Sequence, residues 1–303
     1  MRKMVKKFSV GLLLLVLIFS LVGCTQSDKQ VVVASKPHTE QYILAEMISQ
    51  LIEAHTDIKV VRNLGIGGGT SNIHPAMLKG EIDIYPEYTG TGWLFMLKRE
   101  LINDPNELYK AVKEEYQKEY NITWLDLYGF NDTYALAVKK TLAEELNLET
   151  YSDLAGKSNQ LTFGAEYDFY EREDGFPGLV NTYGFDFKDT KELDIGLKYQ
   201  AIATDQVDVI NAFSTDGLLQ KHDLKVLVDE KNFFPAYHAA TLVRNETLEK
   251  YPELKEVLNK LSGKISEEEM TQLNYYVEND KKDPKDVAKE FLEGKGLLGY
   301  GNN

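Results

Sequence analysis

The chain of 303 residues is 43% hydrophobic and 27% charged, and its 48 acidic side chains outnumber 34 basic ones, for a formal net charge of −14. That length suits two folding units of roughly 100 to 150 residues each, and the acidity argues against nucleic acid or an anionic lipid surface as partner. A single cysteine leaves neither a disulfide framework nor a thiolate metal site.

Arg2, Lys3, Lys6 and Lys7 precede an apolar run from Phe8 to Leu21, which closes on Leu21-Val22-Gly23-Cys24. Basic, apolar and small-residue regions in that order predict an export signal over residues 1–23, and the run is short for a membrane span, which needs about 20 residues. Leu-Val-Gly-Cys resembles the lipobox of bacterial lipoproteins, implying cleavage before Cys24, lipidation of its thiol and a domain held on the extracytoplasmic face of the cell membrane. Four cations and no acid leave with residues 1–23, so the remainder carries −18.

Residues 24–29 read as a polar tether, and Gln30 to Ser35, with Val-Val-Val-Ala, as a buried parallel strand. Apolar residues at Ile43, Leu44, Met47, Ile48, Leu51 and Ile52 predict a helix over 39–55 with Thr39 as its N-cap. A strand over 59–64, a glycine-rich turn over 65–70, a helix over 71–79 and a strand over 82–85 continue a parallel α/β pattern. A charged amphipathic helix over 106–120 leads to a strand at 134–138, where the alternation restarts. Helix 141–146, strand 161–165, helix 179–183, strand 191–195, helix 198–204 and strand 207–212 are followed by short strands at 225–228 and 239–243. Helices over 246–251, 252–261, 266–277 and 284–292 finish the chain, with Ser266 and Glu269 spaced as a capping box.

Thr133-Tyr-Ala-Leu-Ala-Val-Lys-Lys and Tyr237-His-Ala-Ala-Thr-Leu-Val-Arg mirror each other, each an extended run ending in a cation before a helix. Two such crossings around roughly 100 residues of α/β pattern predict two lobes on a double hinge. Lobe I would take 30–131 plus 238–303, and lobe II 132–237.

The five histidines, His38, His55, His74, His222 and His238, lack the four-residue helical spacing of a zinc site and read as structural or exposed. Gly65-Ile-Gly-Gly-Gly-Thr70 lacks the Gly-Lys-Ser/Thr of a phosphate loop and reads as a tight connection before a helix. No Gly-x-Ser-x-Gly elbow is present, and no pattern asks for a metal or an organic cofactor. What stands out is Tyr85-Pro-Glu-Tyr88-Thr-Gly-Thr91-Gly-Trp93 just after a strand, where ligands of open α/β sheets gather. Tyr134 and Tyr237 begin the two crossings and Phe213 follows a strand, so with Tyr88 four rings fall at the seam between lobes. Any one of them serves equally well as a cap on the edge of the core.

Over Val31 to Leu292 the chain resembles the substrate-binding proteins of ABC importers for glycine betaine, carnitine and choline. The matching stretches are Ser35-Lys-Pro-His-Thr-Glu-Gln41, Gly80-Glu-Ile-Asp-Ile-Tyr-Pro-Glu-Tyr-Thr-Gly-Thr91, Tyr128-Gly-Phe-Asn-Asp-Thr-Tyr134, Phe213-Ser-Thr-Asp-Gly217 and Phe233-Phe-Pro-Ala-Tyr237. The resemblance implies a type II periplasmic-binding-protein-like α/β fold with the ligand cleft between two lobes. It also implies a lipid-anchored monomer that passes its ligand to a membrane permease driven by an ATPase, with no catalytic residue and no cofactor. It places an aromatic box on Tyr88, Tyr134, Phe213 and Tyr237, and the carboxylate-holding positions on Lys36, Thr91 and Arg172.

Phe213 departs from the tyrosine usual in osmoprotectant members, keeping the π face and losing a hydroxyl. The segments 166–175 and 67–72 are more similar to the branch that takes up ergothioneine, the trimethyl betaine of a thiolated histidine. In that branch Asp168, Asn131 or Glu87 would bond the imidazole-thione ring.

These residue types suit such a ligand on physical grounds. A trimethylammonium group has no N–H to donate, so aromatic faces grip it, at about 0.5 to 2 kcal/mol per ring once water is excluded. A carboxylate at the other end wants a guanidinium fork, an ammonium and a hydroxyl. Taken alone, Arg172 inside Glu171-Arg-Glu173 reads as readily as a solvated charge cluster. Two other readings stay open: a lipid-anchored enzyme using Asp168 and Glu171, and a sensor that presents a small zwitterion to a membrane partner.

Overall fold

The computed structural model describes residues 29–299; the export signal, Cys24 and the tether up to Asp28 lie outside the described residues. Among the described residues ten strands are present: β1 Gln30–Ala34, β2 Lys59–Asn63, β3 Ile84–Tyr88, β4 Ile122–Trp124, β5 Tyr134–Lys139, β6 Thr162–Ala165, β7 Asp189–Glu192, β8 Val209–Phe213, β9 Leu224–Val226 and β10 Ala239–Arg244. They form two five-stranded sheets, ordered β2-β1-β3-β10-β4 and β7-β6-β8-β5-β9.

The two sheets share one plan. In the first, β1 runs parallel to β2 and β3, and β10 runs antiparallel to β3 and β4. In the second, β6 runs parallel to β7 and β8, and β5 runs antiparallel to β8 and β9. The mirrored runs of the sequence are therefore β5 and β10, the fourth strand of each sheet, and each leads directly into a helix, Lys140–Leu146 or Asn245–Lys250. Just ahead of them Asn131 and His238 form an antiparallel bridge that ties the two crossings together.

Burial on both faces explains why these strands read as unbroken apolar runs. Along β5, Leu136 and Val138 join a cluster with Phe163 and Leu179, while Ala137 meets Ile202, Ile210 and Leu224 on the other side. In the first sheet the helix Thr39–His55 buries Ile43, Leu44, Met47, Ile48, Leu51 and Ile52, and the helix Pro105–Tyr120 buries Leu108, Val112 and Tyr116 against Tyr85 and Trp124. Each such side chain contributes about 1.5 to 3 kcal/mol by leaving water.

Several local expectations differ from the structure. The helix at 39 has His38 at its cap position, extended and without a side-chain cap, and Thr39 is already its first residue. β3 runs on through Pro86 to Tyr88, because β1 engages it only at Val33–Ile84 and the proline faces Thr241 of β10; a missing N–H costs nothing beyond the ladder. β7 ends before Asp194, whose carboxylate accepts from Gly196 N–H at 2.9 Å in a turn. The three-residue β4 follows Asn121, which ends the preceding helix at φ 55°. The capping box of Ser266 and Glu269 forms as read. Among the described residues no helix is long and apolar enough to cross a membrane.

Candidate functional site

A cavity of about 550 Å³ lies where the two sheets face each other, and Lys36, Tyr88, Thr91, Tyr134, Asp168, Arg172, Phe213 and Tyr237 all line it. The strands explain the convergence. Tyr88 and Phe213 are the last residues of β3 and β8, Tyr134 is the first of β5 and sits directly opposite Phe213, and Tyr237 stands two residues ahead of β10. The Tyr134 ring centroid is 5.1 Å from that of Phe213 and 5.3 Å from that of Tyr237, the latter pair at 88°. Gly90 makes room for this corner, since a Cβ there would stand 2.6 Å from the Tyr237 ring.

His38, read from the sequence as structural or exposed, adds a fifth ring to this corner. It lines the cavity and stacks between Phe213, at 5.7 Å and 16°, and Tyr88, at 6.4 Å and 25°. Burial, reinforced by Lys36 and Lys198, pushes its imidazole well below the usual histidine range. Burial likewise pushes the phenols of Tyr88, Tyr134 and Tyr237 well above theirs. All four titratable rings are therefore neutral near pH 7, as a wall around a cation requires.

Arg172 is 2% exposed, which removes the reading of a solvated cluster. One edge of its guanidinium, Nε and one terminal nitrogen, forks onto the carboxylate of Asp174, which also accepts from Tyr237 Oη at 2.6 Å. The remaining edge points to Thr91 Oγ1 at 3.4 Å, longer than a good hydrogen bond. The plane is held over Phe95 at 4.8 Å and Tyr134 at 5.5 Å. A fixed guanidinium with one free edge and a hydroxyl beside it suits a carboxylate. Lys36 sits 4.9 Å over the Tyr88 ring and pairs with the fully buried Glu87.

Of the three candidates for bonding a ring, Asp168 alone lines the cavity. Glu87 accepts from Lys36 Nζ, from Thr70 Oγ1 at 3.1 Å and from Tyr88 N–H at 2.8 Å, so its carboxylate is fully engaged. Asn131 turns its Oδ1 to Tyr237 N–H at 2.6 Å, as a brace for the second crossing. Asp168 lines the cavity and accepts from Ser71 Oγ at 3.1 Å across the cleft. Burial raises its pKa, with Lys36 and Arg172 pulling the other way. The glycine-rich turn belongs to this contact: Gly69 is at φ +56°, and a Cβ on it would meet Asp168 Oδ2 at 2.4 Å.

Two lining or supporting residues carry no signal in the sequence. Glu166 lines the cavity, accepts from Asn211 Nδ2 at 2.8 Å through one oxygen, and keeps its buried Oε2 without a partner among the described residues. Lys198 is 1% exposed and places its ammonium 4.2 Å from the Phe213 ring centroid, a cation–π support for the ring that lacks a hydroxyl.

The sequence signature described as the substrate-binding domain of ABC-type glycine betaine transport systems matches residues 29–294. The chain is 48% identical over 270 residues to the ergothioneine transport permease/ergothioneine binding protein EgtU of Helicobacter pylori, an alignment covering 89% of this chain and 48% of that protein; it thus spans about half the length of that relative. It is 41% identical over 300 residues to the carnitine transport binding protein OpuCC of Listeria monocytogenes, covering 96% of each. A crystal structure of a glycine betaine/carnitine/choline ABC transporter superposes with a TM-score of 0.69 at 38% identity, over 88% of this chain and 99% of that one. The chain belongs to the family of substrate-binding domains of glycine betaine-type ABC transport systems and has its two-lobed type II binding-protein fold, with the aromatic cavity in the cleft.

Proposed function

We propose that this protein is the extracytoplasmic receptor of an importer for trimethylammonium zwitterions, with ergothioneine as its preferred ligand. It binds without turning its ligand over and acts as a monomer held at the membrane by lipidated Cys24, from which it delivers its cargo to the permease and ATPase. Lobe I, 30–131 with 238–303, and lobe II, 132–237, swing about the two crossings and close on the ligand. The five rings take the trimethylammonium group, and the free edge of Arg172 with Thr91 and Lys36 takes the carboxylate.

The observation that carries the ergothioneine reading is the pair of acceptors beyond the cage, Asp168 and Glu166 with its unpartnered Oε2. The imidazole-thione ring has N–H groups to give them, whereas glycine betaine has no donor and carnitine and choline have a single O–H each. The identity to the ergothioneine-binding relative, above that to the carnitine-binding one, points the same way.

Titration calorimetry with the four compounds checks this. Ergothioneine binds most tightly, and Glu166→Ala narrows its lead over glycine betaine by about tenfold or more, the scale of one hydrogen bond to a charged acceptor. No heat with any of the four, or an unchanged lead in the variant, would sink the assignment. Cys24→Ser moves the protein from the membrane fraction to the soluble extracytoplasmic fraction, read by cell fractionation and immunoblot.

A further inference from the structure

Behind the rings, on the side of Phe213 and His38, a second cavity of about 390 Å³ is lined from both halves of the molecule. Its acids come from four different segments: Glu40 from the helix Thr39–His55, Asp132 from the first crossing, Asp216 from the loop after β8, and Glu278 from the end of the helix Glu267–Glu278. Among the described residues no group of acids or histidines is placed to hold a metal ion. Thr215, 1% exposed, stands at the centre. Its Oγ1 lies 2.6 Å from Glu40 Oε2 and 2.8 Å from Asp132 Oδ1.

A hydroxyl has one proton. It satisfies one of those two carboxylates; toward the other it presents a lone pair, which at that distance requires a proton on the carboxyl oxygen. The partners decide which acid carries it. Glu40 also accepts from Tyr88 Oη at 2.7 Å and from Asn274 Nδ2 at 3.2 Å, so three donors stabilise its anion. Among the described residues Asp132 has Thr215 alone, through its hydroxyl and its backbone. We propose that the closed cleft is latched by a proton on Asp132, which donates to Thr215 Oγ1 while Thr215 donates to Glu40, and that the protein takes this proton from solvent as its lobes close on ligand.

The inference rests on the reading of the protein as a hinged receptor. Asp132 and Glu40 act as positioning residues, since Glu40 in turn holds the hydroxyl of the cage ring Tyr88. Other charges also face the seam. Lys198 approaches Asp216 Oδ2 at 3.5 Å, which also accepts from Tyr199 Oη at 2.6 Å. Glu278 keeps a buried Oε2 without a partner among the described residues, and Lys281 lines the rim. Burial pushes Asp132 well above the usual carboxylate range, Glu40 up to about 7 and Glu278 up to about 8, with neighbouring acids adding to each. His38, held neutral by burial, takes no part.

The sign follows from linkage. A group whose pKa is higher in the closed state favours closure below that pKa, and the advantage is lost as pH rises through it. Affinity therefore falls as pH climbs through the raised pKa of Asp132, approaching tenfold per pH unit for one proton.

Calorimetry with ergothioneine or glycine betaine at pH 7.5, in buffers of different ionisation heat, reads an uptake of about one proton per ligand bound. Asp132→Asn, which offers Thr215 an amide donor that does not titrate, lowers the uptake by that proton and weakens the pH dependence whatever its absolute affinity. In parallel, X-ray scattering of the ligand-free protein shows a more compact population at pH 6 than at pH 9, and Asp132→Asn abolishes that difference. Binding heat with no proton uptake, or uptake unchanged in Asp132→Asn, overturns the latch. Absence of heat with both compounds overturns the ligand reading, and the scattering series then decides the latch by itself.

Discussion

Tyr134→Ala is expected to weaken binding of ergothioneine, and of any trimethylammonium ligand, by at least about tenfold, the cost of one desolvated cation–π face. The effect is large because this ring holds the others in place. It packs at 5.0 Å on Phe169, 5.1 Å on Phe213, 5.6 Å on Phe234 and 5.3 Å on Tyr237, and the Arg172 guanidinium lies 5.5 Å over its face. Truncation leaves a hole at the junction of β5 and β8 and lowers stability by about 3 to 5 kcal/mol. Tyr134→Phe separates the two effects, since it keeps the ring and the packing. It retains affinity within a few-fold in calorimetry and melts close to the parent. Parental affinity in Tyr134→Ala would remove this residue from the cage.

The second large effect is at Arg172. Arg172→Met strands Asp174, 5% exposed, without its cation, a loss of about 3 to 5 kcal/mol for a broken buried pair. Adding Asp174→Asn removes the stranded charge and restores most of the melting temperature. The double variant still lacks the free guanidinium edge, so its preference for glycine betaine over choline, which has no carboxylate, collapses by about tenfold or more. Denaturant melts report the first outcome and paired titrations the second. A double variant that still prefers the betaine would place carboxylate recognition elsewhere, on Lys36 or Thr91.

The strands that carry the cage were legible in the sequence because they are buried on both faces: Val31–Ala34 and Tyr134–Val138 announce themselves without any partner. The mirrored runs at 133 and 237 could be matched because β5 and β10 hold the same place in two copies of one sheet. β4 was not legible, since three residues show no period. The rings at strand ends were readable as a set, and the strand order explains why they meet. His38, Lys198 and Glu166 were not, because what gives each its role lies far along the chain. His38 stacks on rings 50 and 175 positions away, and Glu40 meets Thr215 across a separation of 175. Arg172 shows the converse, a residue whose neighbours in sequence suggest a solvated surface while tertiary packing seals it between two aromatic planes.

The shared plan of the two sheets has a consequence for how selectivity changes over time. Tyr88 and Phe213 close equivalent strands, so the grip proposed for a trimethylammonium head would be near-symmetric, suited to a group with no direction of its own. Three of the residues proposed to make directional contacts, Asp168, Glu166 and Arg172, lie between β6 and the helix Phe176–Tyr183 in the second half of the molecule. On the proposed reading, substitutions among about ten consecutive residues would alter most of the contacts to the tail while leaving the rings and the duplicated frame untouched.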